Sequence, residues 1–113
     1  GGGIAYRPTP DVIPGGERTT TATIRHKGAE QAIEGHGNGP IDAFVDALNK
    51  AFGLGMEVAD YSEHALSTGA SATAVAYMEL KSPKGGLFGA GQDKNIVMAS
   101  LRALVSGANR LMA

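Results

Sequence analysis

Gly35-His36-Gly37-Asn38-Gly39-Pro40 is the stretch that most constrains how this chain folds. Three glycines in five residues allow a sharp turn and leave main-chain amides uncovered by side chains. Pro40 suits the first position of a helix, where its missing N–H is not needed and its fixed φ is already helical. After it, Ile41, Phe44, Val45, Leu48, Ala51 and Phe52 recur at spacings of three and four, which predicts an amphipathic helix over Pro40–Phe52. Gly39 or Asn38 is its expected N-cap. Asp42 puts an acid in the first turn, where the helix dipole favours it, and Gly53-Leu54-Gly55 stops the helix. A strand entering a bare helix N-terminus offers a binding place for an anionic group such as a carboxylate.

The rest of the chain repeats this plan. Residues 18–26, rich in β-branched side chains, read as a strand; residues 27–30 turn, and residues 31–37 return as the second strand of a hairpin. Residues 56–66 form a long third strand, residues 68–71 a turn, and residues 72–81 a strand with Ala72, Ala74, Ala76, Met78 and Leu80 on one side. Residues 82–86 turn again before a short strand at 87–91. A second helix, about 94–111 with Asp93 as its cap, carries the apolar face Ile96, Val97, Leu101, Leu104, Val105 and Ala108. Ala99, Ala103 and Gly107 form a smooth row at spacing four, suited to close approach of another surface. Each half ends its last strand in Gly-x-Gly (Gly35/Gly37 and Gly89/Gly91) and continues into an amphipathic helix. The fold class is therefore α+β: two pseudo-twofold-related ββα or βββα units, with an antiparallel sheet and two helices packed on it. Neither half has enough strands to stand alone, so the two share one core, or a core with a partner chain.

With 113 residues the chain suits one domain. Residues 1–16, with Pro8, Pro10 and Pro14, read as an extended linker or remnant, and residues 17–113 as the domain. The Gly-Gly-Gly opening in place of Met is expected of a piece of something longer. Ten Lys and Arg against 11 Asp and Glu lack the basic footprint of a nucleic-acid binder. No apolar run approaches the ~20 residues of a membrane span, so neither nucleic acid nor membrane is an expected partner. The absence of cysteine excludes disulfides and thiolate metal sites and is compatible with the cytoplasm.

Candidate chemistry is sparse. Gly35-x-Gly37-x-Gly39 is not the Gly-x-Gly-x-x-Gly dinucleotide fingerprint, and no phosphate-loop Gly-Lys-Ser/Thr occurs. His26, His36 and His64 have no metal-ligand spacing. Asp60, Tyr61, Glu63 and His64 form an acid/base cluster only on paper, because on a strand Asp60 and His64 share a face that Glu63 does not. Small residues across from Tyr61, namely Ala65, Ala72 and Ala74, leave room for a small amphipathic ligand beside the helix N-terminus.

Three separated blocks then carry a resemblance: Gly37-Asn38-Gly39-Pro40-Ile41-Asp42-Ala43-Phe44, Asp60-Tyr61-Ser62-Glu63-His64-Ala65, and Gly89-Ala90-Gly91 with residues 99–110. Together they resemble the C-terminal regulatory, leucine-sensing and dimerising domain of 2-isopropylmalate synthase, over about residues 20–110. The resemblance implies two βββα-like units, a homodimer formed through this domain, and L-leucine bound at the interface as feedback inhibitor. Condensation of acetyl-CoA with 2-oxoisovalerate, an acyl transfer, would occur in a metal-dependent TIM-barrel domain outside this stretch. No catalytic residue, metal or cofactor is thus expected within it. By the same resemblance Asn38, Gly39 and Ile41 lie near the ligand, while Val58, Tyr61, Ala65, Ala72, Ala74 and Ile96 line the leucine side-chain pocket. Gly91 and Asp93 mark the corresponding second turn. The carboxylate would meet amides at Gly39 and Ile41 or those after Asp93, and Asn38 or Asp93 would accept from the ammonium. Two other readings stay open: the isoleucine-sensing domain of citramalate synthase, and a dimerisation module with no ligand.

Overall fold

In the computed structural model, which describes residues 4–7, 19–66 and 72–112, six strands and two helices follow one another as βββα twice over. The first unit contains β1 (Ile4–Arg7), β2 (Thr19–His26), β3 (Ala29–His36) and α1 (Pro40–Phe52). The second contains β4 (Glu57–Ala65), β5 (Ala74–Ser82), β6 (Gly85–Asp93) and α2 (Ile96–Met112). All pairings are antiparallel, in two three-stranded sheets ordered β1-β2-β3 and β4-β5-β6. The α+β expectation holds, with the strands divided between two sheets.

Most elements fall where periodicity puts them, and α1 has the expected bounds. The differences have local causes. The β2–β3 turn needs only Lys27 (φ 55°) and Gly28 (φ 80°), both left-handed as a type I′ turn requires, so β3 starts at Ala29. β6 runs for nine residues rather than five. Its glycines score against strand, but pairing with β5 from Ala74↔Asp93 to Ser82↔Gly85 overrides that preference. The stretch read as a linker contributes β1, with Ile4↔His26 through Arg7↔Thr23 in register, so the first sheet begins ahead of residue 17. The remainder of that stretch and the turn expected at 68–71 lie outside the described residues.

Each helix lies directly on the last strand of its own unit, and the paired glycines make this contact possible. A Cβ on Gly35 would overlap the backbone of Ala43 and Ala47 in α1, and one on Gly37 would come within 2.7 Å of the Ala43 nitrogen. In the second unit a Cβ on Gly89 would strike Ala103, and one on Gly91 would strike Ala99 and Ala103. The smooth row on α2 therefore receives Gly89 and Gly91, and Gly107 receives the Leu80 side chain. The helices also touch one another, and one buried cluster joins the units. Ile24, Phe44 and Leu48 from the first meet Met78, Leu80, Leu101 and Leu104 from the second, all fully buried.

The two helices start differently. Gly39 is the N-cap of α1, with extended backbone (φ −167°, ψ 179°) and no side-chain cap, while its carbonyl accepts from Ala43 N–H at 2.9 Å. The cap of α2 is Asn95 rather than the expected Asp93. Asn95 Oδ1 accepts from the Val97 and Met98 amides at 2.9 and 3.1 Å, whereas Asp93 accepts from the Asn95 amide one step earlier. Asn95→Ala should lower stability by about 1 kcal/mol, checked by denaturant titration. Gly35→Ala should cost about 1–3 kcal/mol, because its methyl group meets helix backbone that cannot move aside. Gly39→Ala, where a Cβ meets nothing within 4 Å and φ is one any residue adopts, should leave the melting temperature unchanged.

Candidate functional site

The bare start of α1 opens onto a cavity of about 370 Å³ lined by Asn38, Gly39, Pro40, Ile41, Asp42, Val58 and Tyr61. Two local devices assemble it. Asn49, in the last turn of α1, clamps the start of the next strand: its Nδ2 donates to the Met56 carbonyl at 3.0 Å and its Oδ1 accepts the Met56 amide at 2.8 Å. With Gly53 in a left-handed C-cap, the clamp sends β4 back toward the N-terminus of α1. The second device is a register shift between Val58 and Asp60. Residues three apart on a regular strand face opposite sides. Across the bulge, Val58 pairs with Leu80 and Tyr61 with Met78, both fully buried, so Val58 and Tyr61 share the inner face and both reach the cavity.

The chemistry offered is a hydrophobic wall with main-chain donors at one end. Ile41, Val58 and the Tyr61 ring supply the apolar surface. The first amides of a helix have no intrahelical acceptor; Pro40 has no N–H to offer, which leaves those of Ile41 and Asp42 with no side-chain cap over them. The α2 end differs, since its first amides are occupied by Asn95. The Asp93 carboxylate is engaged as well, by the Asn95 amide at 2.9 Å and by Arg102 Nε at 3.1 Å. The Asn95 amide, helped by Arg102 against partial burial, holds the Asp93 carboxyl below its ordinary value. Of the two anion positions the sequence leaves open, the one at α1 is therefore the available one, and Asp93 is committed to α2.

Five of the eleven residues singled out from sequence, Asn38, Gly39, Ile41, Val58 and Tyr61, line the cavity together. Ala65 and Ala74 pair with each other, and Ala74 with Asp93, in a cross-strand row four residues along β4 from Tyr61. Ala72 precedes β5. Gly91 is a packing glycine, filled by the α2 backbone. Ile96 begins α2 and connects to Tyr61 indirectly: Ser100 Oγ bonds the Ile96 carbonyl at 3.0 Å and the Tyr61 hydroxyl at 2.9 Å. Sequence reasoning missed Pro40 and Asp42 as lining residues, and Ser100 altogether. The signal for Ser100 was a lone hydroxyl between Ala99 and Leu101 on a helix face that is otherwise apolar.

The paper acid/base cluster does not form. Asp60 and His64 pair with Glu79 and Val75 on the outer face of the second sheet, while Tyr61 points inward. Asp60 Oδ1 accepts the Tyr61 amide, and the His64 ring lies 6.0 Å from that of Tyr77. His26 meets Phe52 edge-on, and His36 contacts Thr19 while its amide donates to Asp46 at 2.8 Å. Lys50, followed by that amide, holds the Asp46 carboxyl below its ordinary value. Among the described residues, no three His, Asp or Glu side chains are grouped to hold a metal ion, and no helix is long and apolar enough to cross a membrane.

Residues 11–112 match the family described as the LeuA allosteric (dimerisation) domain. The chain is 53% identical over 110 residues to the 2-isopropylmalate synthase of Brucella suis biovar 1 (strain 1330), covering 97% of this chain and 20% of that protein. It is 50% identical over 109 residues to the 2-isopropylmalate synthase of Rhizobium johnstonii, covering 96% and 20%. For the 2-isopropylmalate synthase of Parafrankia sp. (strain EAN1pec) the identity is 51% over 96 residues, covering 85% and 17%. The chain thus spans about a fifth of the length of these curated relatives. With the family match running over nearly its whole length, the chain belongs to the LeuA allosteric (dimerisation) domain family.

Proposed function

We propose that this domain binds free L-leucine in the cavity at the start of α1 and serves as the feedback-sensing, dimer-forming part of a 2-isopropylmalate synthase. The observation that carries the reading is the uncapped N-terminus of α1 opening onto an apolar hollow. The ligand's carboxylate meets the Ile41 and Asp42 amides, where the helix dipole favours negative charge. Its ammonium lies near the Asn38 side chain, and its isobutyl group packs on Ile41, Val58 and the Tyr61 ring. Burying that group contributes roughly 2–3 kcal/mol. Acyl transfer belongs to a catalytic barrel outside this chain, together with the divalent metal that barrel is expected to use. Leucine bound here biases that barrel through the packing of the dimer, in the cytoplasm where the pathway operates.

The strand β4 supports the dimer. Among the described residues it is an edge strand of nine residues, hydrogen-bonded only to β5, and all of it except Val58 is exposed. An edge of this length is normally blunted or covered. A second copy laid along β4 would cover it and close the open side of the cavity at Tyr61.

Leucine at about 100-fold excess over its Kd should raise stability by about 2.7 kcal/mol and the melting temperature by on the order of 10 °C. Isoleucine and valine should bind about 10- to 200-fold less tightly by calorimetry, since one displaced or missing methyl discriminates only that much. Tighter binding of isoleucine would instead assign the chain to citramalate synthase, and no shift with any of the three would leave a dimerisation module without a ligand. Gly39→Val should keep the fold and abolish the leucine-induced shift by projecting its side chain into the hollow. Ala65→Arg, on the exposed β4, should move the sedimentation of the chain from dimer toward monomer.

A further inference from the structure

Ser100 is the one fully buried polar residue among the described residues. A serine hydroxyl has a single proton. Oγ donates it to the Ile96 carbonyl one turn back, at 3.0 Å. The Tyr61 phenol, 2.9 Å away, must then be the donor to Ser100 Oγ, giving a directed chain from Tyr61 O–H to Ser100 Oγ–H to the Ile96 carbonyl. The same Tyr61 side chain walls the cavity with its ring. One residue thus has its ring on the cavity and its hydroxyl fixed to the opening turn of α2.

We propose that Tyr61 and Ser100 are positioning residues that couple occupancy of the cavity at α1 to the order of the first turns of α2. The proposal rests on reading that cavity as a branched amino-acid site. Tyr61 is 36% exposed: part of its surface is covered on the inner face opposite Met78, part is open at the cavity, and its hydroxyl is tied to Ser100. A ligand packed on the ring restricts it from the cavity side. Because the hydroxyl is tied to Ser100, restricting the ring also restricts the α2 start, and each ordering leaves less entropy to lose in the other. The link can open without unfolding α2, since Ser100 keeps its bond to Ile96 and Asn95 still caps the helix. α2 in turn carries the row that seats β6, so the effect reaches the second sheet.

The test is amide hydrogen exchange of the 113-residue chain with and without saturating leucine, with leucine binding measured in parallel by calorimetry. Leucine should slow exchange in residues 96–104 about fivefold or more in the unsubstituted chain. In Ser100→Ala, which leaves the cavity walls intact, leucine should still bind within about threefold of the original affinity while the slowing in α2 disappears. Tyr61→Phe should lose the α2 slowing as well, and combining both changes should add nothing further, as one shared bond requires. α2 slowing that survives Ser100→Ala with leucine bound overturns the coupling, as does leucine binding to the unsubstituted chain with no slowing there. Loss of leucine binding in a folded Ser100→Ala chain overturns the separation of Ser100 from the site. Failure of the unsubstituted chain to bind any branched-chain amino acid is a distinct result, which removes the functional reading and this coupling together.

Discussion

Direct contact between helix backbone and strand backbone sets the dimensions of this domain. Strands usually hold a helix off by the length of a side chain, but at Gly35, Gly37, Gly89 and Gly91 there is none, and the helix turns occupy the place where a Cβ would be. The order of the chain follows from that contact. A helix seated so closely must follow immediately on its strand, with only Gly37 to Gly39 between β3 and α1 and two residues between β6 and α2. The apolar stripe left on each helix then faces across the molecule, where Phe44 and Leu48 from one unit meet Leu101 and Leu104 from the other. Among the described residues neither three-stranded sheet has a second helix of its own, and one buried cluster joins the two units.

Within that near-symmetry the helix starts have diverged. Asn95 satisfies the first amides of α2 internally, and Asp93 and Arg102 complete a closed polar knot around that end. At α1 the corresponding place is taken by glycine, which caps with its carbonyl alone. An unsatisfied helix start facing bulk water costs little, because water supplies the acceptors. Facing an apolar hollow, it favours a ligand that brings its own carboxylate. The same scaffold therefore provides one helix end closed by its own side chain and one left uncapped, which on the proposed reading receives the ligand's carboxylate.

Features encoded by local pattern were legible in the sequence. The bounds of α1, the glycine pairs, the Ala99–Ala103–Gly107 row and the inward face of β5 all follow from spacing, because period and backbone sterics act within a few residues. Five cavity residues were named through the family resemblance instead, three of them consecutive or nearly so at the helix start. What escaped depends on partners distant in sequence. β1 is four residues in a proline-rich stretch and becomes a strand only by pairing with β2. Asn95 and Asp93 are both competent caps; Asn95 holds the first amides of α2, while Asp93 is bonded to the Asn95 amide and to Arg102 nine positions beyond it. Gly91 reads as a binding-turn glycine until α2 is seen to fill its place. Tyr61 was visible as a candidate, but its bond to Ser100 spans 39 residues and has no local signature.

The bulge in β4 is where these threads meet. Without the extra residue at Ala59, Val58 and Tyr61 would face opposite sides of the sheet, and the cavity would keep one wall residue and lose the other. The bulge also twists a strand that, among the described residues, has no second strand partner, a common way of controlling what can pair at an edge. A strand that walls the cavity and ties to α2 through one hydroxyl cannot be buried by its own sheet. On the proposed reading, its exposure is the physical condition for letting a ligand on one side of Tyr61 influence a second chain on the other.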